Sequence, residues 1–324
     1  MAQPKRTGSL TSTMLFLAVL AGFLWQRQNI FDWWRLRNYQ APARVASLAA
    51  DTTMSGYGQK LFYVNHPDIE SNKTIFNQHC SVSEQTIVLG CFVSGQGIYL
   101  YDVTDSRLSG VEQVTAAHEM LHAAYDRFSR SDKDKLNAEL LAVYNSSTDE
   151  RLKSVIEQYR KRDSSVVPNE LHSILGTEVR TLTPELETHY KQFFSDRAKI
   201  VGYAEQYQAV FTERKNQILK YDQQLTALKN QIDGLESQLT STEQSLSADR
   251  KRLDSLLASG QYDSYNSGVA SFNDKVKQYN SGVARDKQLV AQYNSVVSAR
   301  NAIALEEQEL VKAIDSHVSS QTTR

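Results

Sequence analysis

The chain has 324 residues, 40% hydrophobic and 23% charged, with a net charge of −1. That is enough for a domain and a second region, and it leaves no basic field of the kind nucleic acid would need. Glycine and proline number only 14 and 5, which disfavours a β-rich fold and favours long helices.

Residues 1–9 form a short basic tail. LTSTMLFLAVLAGFLW (10–25) is an uncharged, largely apolar run behind Lys5 and Arg6. QRQNIFDWW (26–34) can extend it, with Trp33 and Trp34 suited to an interface. No A-x-A cleavage pattern directly follows, so the expectation is an uncleaved transmembrane signal anchor over 10–26. Arg27, Arg35, Arg37 and Arg44 outnumber the leading cations and argue against an outside C-terminus. The basic leader and the cysteine pair described below argue for one. The resulting expectation is a single-pass cell-membrane protein with its bulk extracytoplasmic. Residues 27–50 read as a juxtamembrane segment at headgroup level, or equally as the first helix of the following domain.

From 51 the texture changes. KLFYV (60–64), QTIVLGCFV (85–93) and GIYLYDV (97–103) are short β-branched and aromatic runs, expected as three strands of a small sheet, with SGQG (94–97) as a hairpin turn. Cys80 and Cys91 are the only cysteines. No C-x-x-C pair exists, against a thiolate metal site. A disulfide closing a short loop is expected, with two buried thiols as the alternative; a disulfide implies an oxidising compartment.

SGVEQVTAAHEMLHAAYDRFS follows. Ser109 with Glu112 reads as a capping box, and Val111, Val114, His118, Leu121, His122, Tyr125 and Phe128 recur at helical spacing. Histidines at i and i+4 share one helix face, so His118 and His122 can bind one metal. Glu119 is turned toward the open coordination position, where it can move a proton as general base. AAHEMLH after a strand resembles the zincin (HExxH) zinc metallopeptidases. The resemblance covers about 55–195 and lacks the metzincin third histidine. It implies a Zn2+ cofactor, a peptide or protein substrate, and GIYLYDV as the strand that pairs with substrate. In gluzincin-like members a later helix supplies a third ligand, a glutamate. NELHSILGTEV (169–179) offers Glu170 first, with Glu178 and His172 as alternatives. Tyr125 and Tyr190 are candidate oxyanion stabilisers.

Helix is also expected over 133–161, broken near NSST. Beyond about 196, Tyr221, Leu225, Leu228, Ile232, Leu235, Leu239, Leu246, Leu253 and Leu256 trace a heptad seam, with Thr242 and Asp249 in its gaps. ASGQYDS (258–264) interrupts it. A second seam runs through Tyr265, Val269, Phe272, Val276, Tyr279, Val283, Val290, Tyr293 and Val297, carrying a 14-residue repeat: YNSGV, YNSGV, YNSVV. Asp286 and Arg300 are polar positions suited to setting register.

The expected architecture is α+β: a zincin-like domain (51–195) behind the membrane helix, then an antiparallel coiled-coil hairpin (196–320). The expected function is a membrane-anchored zinc metallopeptidase. The competing reading is a non-enzymatic envelope scaffold or adhesion protein working through the hairpin, with an inactive or structural metal site. A further reading is an envelope regulator whose hairpin docks a protein partner.

Overall fold

The computed structural model describes residues 26–80 and 87–317. The chain divides into two compact units, one formed up to Gln208 together with the chain from Ala313, the other spanning Ala209–Lys312.

The first unit corrects the α+β expectation, being predominantly helical with a very small sheet. Its strands are Asp68–Glu70 (β1), Gly90–Val93 (β2) and Gly97–Tyr101 (β3), in the order β1-β3-β2. β1 runs parallel to β3, and β2 runs antiparallel to it with Cys91 opposite Tyr99. Around the sheet lie α1 (Ala43–Asp51), α2 (Gly56–Val64), α3 (Lys73–His79), α4 (Val111–Asp126), α5 (Arg130–Ser146), α6 (Glu150–Arg162), α7 (Val167–Glu178) and α8 (Pro184–Tyr190). KLFYV, expected as a strand, is the end of α2. The Ser55 hydroxyl accepts from the Gly58 N–H and caps that helix, and Leu61, Phe62 and Val64 are buried. A short apolar run fits a strand or a buried helix equally well, so the cap decides. QTIVLGCFV contributes only its last four residues to a strand; 81–86 lie outside the described residues.

No helix among the described residues is long and apolar enough to cross a membrane. The single-pass cell-membrane placement is therefore not supported by any described helix; the run at 10–25, on which it was read, lies outside the described residues. Residues 26–36 are helical and latched to the first unit by polar contacts. Asp32 is only 1% exposed. It accepts from both terminal nitrogens of Arg127, at 2.8 and 2.9 Å, and lies 3.0 Å from the Lys60 ammonium. Arg35 donates to the Val64 and Gln96 carbonyls. Val45, Leu48 and Ala49 of α1 are buried in the core.

α4 runs through the middle of this core. Ala116, Ala117, Ala123 and Ala124 are at most 1% exposed, as expected of a helix covered on several sides. Its start differs from the capping box. The N-cap is Gly110, with φ of 100° and no side-chain cap. Gly110 packs so closely on Tyr203 that an added Cβ would lie 2.9 Å from the Tyr203 carbonyl oxygen. Glu112 is used elsewhere, accepting from the Val103 N–H and from Arg44.

The second unit is an antiparallel pair from α9 (Arg197–Ala258) and α10 (Tyr262–Ile314), turning at Gly260 with φ of 70°. Every expected seam position of α9 is half-buried. On α10 the seam is shifted at one place: Leu289 is buried, and Val290 is 38% exposed. The repeat explains the packing. A Cβ on Gly268 would meet Leu253 Cδ2 at 2.8 Å, and one on Gly282 would meet Leu239 Cδ2 at 2.7 Å. The two glycines are sockets for leucines one repeat apart. The third repeat places Val296 where a glycine would fall, and a gap lined by Ala227, Leu228, Ser295 and Val296 opens there. Arg300 donates to Asp222 at 2.7 Å and Lys275 to Asp249 at 2.5 Å, fixing the pairing across the two helices. Asp286 Oδ1 is buried without a hydrogen-bond partner.

Candidate metal centre

His118 and His122 lie one turn apart on α4, with their Nε2 atoms 3.0 Å from each other. Glu170, in the first turn of α7, brings Oε2 to 3.7 Å from His118 Nε2 and 3.8 Å from His122 Nε2. That oxygen is buried and has no hydrogen-bond partner, a costly state unless a cation answers it. The three atoms form a triangle with one point about 2 Å from each corner, the length of an ordinary metal bond to imidazole or carboxylate. Asn169, next to Glu170, presents Oδ1 at 2.9 Å from His122 Nδ1. With the proton on Nδ1, that contact leaves the Nε2 lone pair facing the triangle. A metal ion therefore fits these residues, and His118, Glu119 and His122 form a group able to hold one.

Glu119 is 5% exposed, beneath β2. Gly90 makes room for it: an added Cβ would stand 2.6 Å from Thr115 Cγ2 and 2.9 Å from Glu119 Cγ. Burial pushes the Glu119 carboxyl up to about 7; Glu170 adds to the rise, while His122 and the Phe92 N–H oppose it. Glu170 goes the other way. Burial raises it, but the two imidazoles and the Tyr159 hydroxyl outweigh that and hold it below the usual carboxylate range. One carboxyl is thus readily protonated and the other stays ionised, a separation of roles set by surroundings.

The group opens into a cleft of about 380 Å³. One wall is β2, an edge strand, with the chain just before it; the other is α6 and the start of α7. GIYLYDV, expected to pair with substrate, is instead the central strand β3, flanked on both sides. The strand that borders the cleft is Gly90–Val93.

The other candidates go elsewhere. Glu178 also lines the cleft but pairs with Arg151 at 2.7 Å and accepts from Gln208 at 2.9 Å. His172 is fully buried, its Nε2 2.9 Å from His189 Nε2 in an aromatic cluster, and burial drives its pKa well down. Tyr125 donates to Asn137 and Tyr190 to the His172 carbonyl, so both hydroxyls are engaged away from the metal group. Cys80 and Cys91 form a disulfide with Cα atoms 5.6 Å apart, tying the end of α3 to β2. Sequence reasoning missed Asn169, Tyr159 and Gly90. Asn169 and Gly90 sit beside residues that were singled out, but nothing in their own pattern marks a role; each acts through a neighbour on another element.

Comparison with known proteins returns no match: no family model, no curated protein and no solved structure matches the chain.

Proposed function

We propose that the first unit is a zinc-dependent peptidase of zincin type. The observation that carries this reading is Glu119: a buried carboxyl beside two metal-capable histidines, opening on a cleft bordered by a strand edge. A purely structural metal site has no use for such a carboxyl, which adds a burial cost without being needed as a ligand. His118, His122 and Glu170 would hold the ion, and their two-nitrogen, one-oxygen set suits zinc with a position left open. When bound, zinc supplies Lewis-acid activation of water and of the scissile carbonyl.

The chain's own residues do the rest. Glu119 takes a proton from the attacking water and delivers it to the leaving nitrogen. Asn169 keeps His122 in the tautomer that offers Nε2. The outer edge of β2 receives the substrate backbone as an added strand, and the cleft walls limit water around the reacting bond.

The test is metal content and cleavage measured together. Purified chain should carry about one zinc and cut an unfolded protein. Glu119→Gln should keep the zinc and lose cutting. Cleavage by Glu119→Gln at the wild-type rate would show the mechanism to be wrong. Metal bound with no cleavage of any substrate would favour the scaffold reading.

A further inference from the structure

Among the described residues, the cleft carries one arginine with no carboxylate partner. Arg162 closes α6 and lines the cleft. Its guanidinium carbon lies 5.9 Å from the Tyr159 ring centre, and Tyr159 is the residue beside Glu170. Among the described residues no carboxylate lies within ion-pair distance of Arg162. The neighbouring Asp163 is turned to the next turn of chain, accepting from the Ser165 N–H at 2.9 Å and its hydroxyl at 2.7 Å.

The other charges of the cleft are answered. Glu178 has Arg151 and Gln208. Glu119 and Glu170 face the two histidines and, on the metallopeptidase reading, the ion. Arg160, Lys161 and Arg162 all sit in the last turn of α6, where cations suit the negative end of the helix dipole. That placement alone would explain a solvated basic end. But Arg160 is paired with Glu157 at 3.2 Å, and neither Arg160 nor Lys161 lines the cleft. Arg162, an exposed side chain, is the one of the three that lines the cleft, with the apolar Val166 and Phe92 among the other lining residues. A guanidinium has a planar fork of donors that matches a carboxylate.

We propose that Arg162 determines the specificity of this cleft, selecting peptides that carry a carboxylate a few residues from the bond held at His118, Glu119 and His122. This deepens the peptidase reading and rests on it. The carboxylate can come from an acidic side chain or from a peptide C-terminus.

Binding, read without turnover, tests it. The full zinc-loaded chain carrying Glu119→Gln is titrated with fluorescent peptides and followed by anisotropy. One peptide has a glutamate and an amidated end, one a glutamine and a free end, one a glutamine and an amidated end. The glutamate or the free end should bind about 5- to 10-fold tighter than the uncharged peptide, the modest gain of a partly exposed ion pair. Whichever of the two gains names the source. Adding Arg162→Gln should erase the difference, Arg162→Lys should keep part of it, and Arg162→Glu should favour a lysine peptide. Equal binding of all three peptides, no binding of any, or a preference that survives Arg162→Gln overturns the proposal. Cleavage is assayed separately with Glu119 intact. A carboxylate preference with no cleavage of any peptide would retire the peptidase reading and leave the anion selectivity standing.

Discussion

Glu119 and Glu170 are chemically the same side chain, and their neighbours send them in opposite directions. Glu119 is buried under β2 and pushed up to about 7, while Glu170 is held down by two imidazoles. On the proposed metallopeptidase reading, removing a ligand should therefore differ from removing the base. His122→Ala and Glu170→Gln should each lower zinc affinity by at least about tenfold, measured by competition with a chromophoric chelator, whereas Glu119→Gln should leave it nearly unchanged. Unaltered affinity in Glu170→Gln would remove Glu170 from the ligand set. Asp32 supports a second prediction. Burial raises its carboxyl, but Arg127 and Lys60 outweigh that and hold it below the ordinary value. A depressed folded pKa gives stability that is present above the unfolded value of about 3.9 and lost as pH falls through the folded one. Asp32→Asn should cost about 2–3 kcal/mol at neutral pH. It should also flatten the fall in melting temperature between pH 5 and pH 3. An unchanged acid slope would mean that the Asp32 cluster does not carry that dependence.

At the scale of elements, the hairpin and the small sheet obey different rules. A helix-interior glycine replaced by alanine normally gains about 1 kcal/mol from propensity. Gly282 sits against Leu239 Cδ2, so Gly282→Ala should instead destabilise the second unit by about 1 kcal/mol or more through overpacking. Denaturant unfolding followed by circular dichroism at 222 nm reads the sign directly, and a stabilised variant would refute the socket. The α9 seam was legible because one face repeats on heptad spacing over many turns. The α10 seam was legible except at Leu289, where the choice between two adjacent apolar residues depends on the partner helix. The sheet was much less legible. KLFYV and the chain before β2 have strand-like composition, yet three- to five-residue strands are fixed by their neighbours rather than by propensity.

At the scale of the whole molecule, the candidate ligands lie on α4 and α7, so on the proposed reading zinc bound there would link metal binding to folding of the first unit. Free zinc at about a hundred times its dissociation constant adds about 2.7 kcal/mol. For a unit of this size that corresponds to a rise of roughly 5–10 °C in melting temperature, seen by calorimetry before and after chelation. The shift should vanish in His122→Ala. The hairpin transition, identified by its response to Gly282→Ala, should not move. A shift of equal size in His122→Ala would place the stabilising metal elsewhere.

The sequence by itself determined the pieces whose order is local. His118, Glu119 and His122 share a helix because four residues make about one turn, and the heptad pattern dictates two long helices folded back on each other. Glu170 was singled out as a third ligand from the segment that carries it, without knowing where that segment would pack. Only the tertiary structure decided the rest. It brought α7 against α4 so that an oxygen of Glu170 faces both imidazoles, put Asn169 behind His122, turned Glu178 to Arg151, and made β2 rather than β3 the border of the cleft. Those outcomes depend on which buried polar groups find partners and which strand is left at the edge, and contacts between segments far apart in the chain settle both.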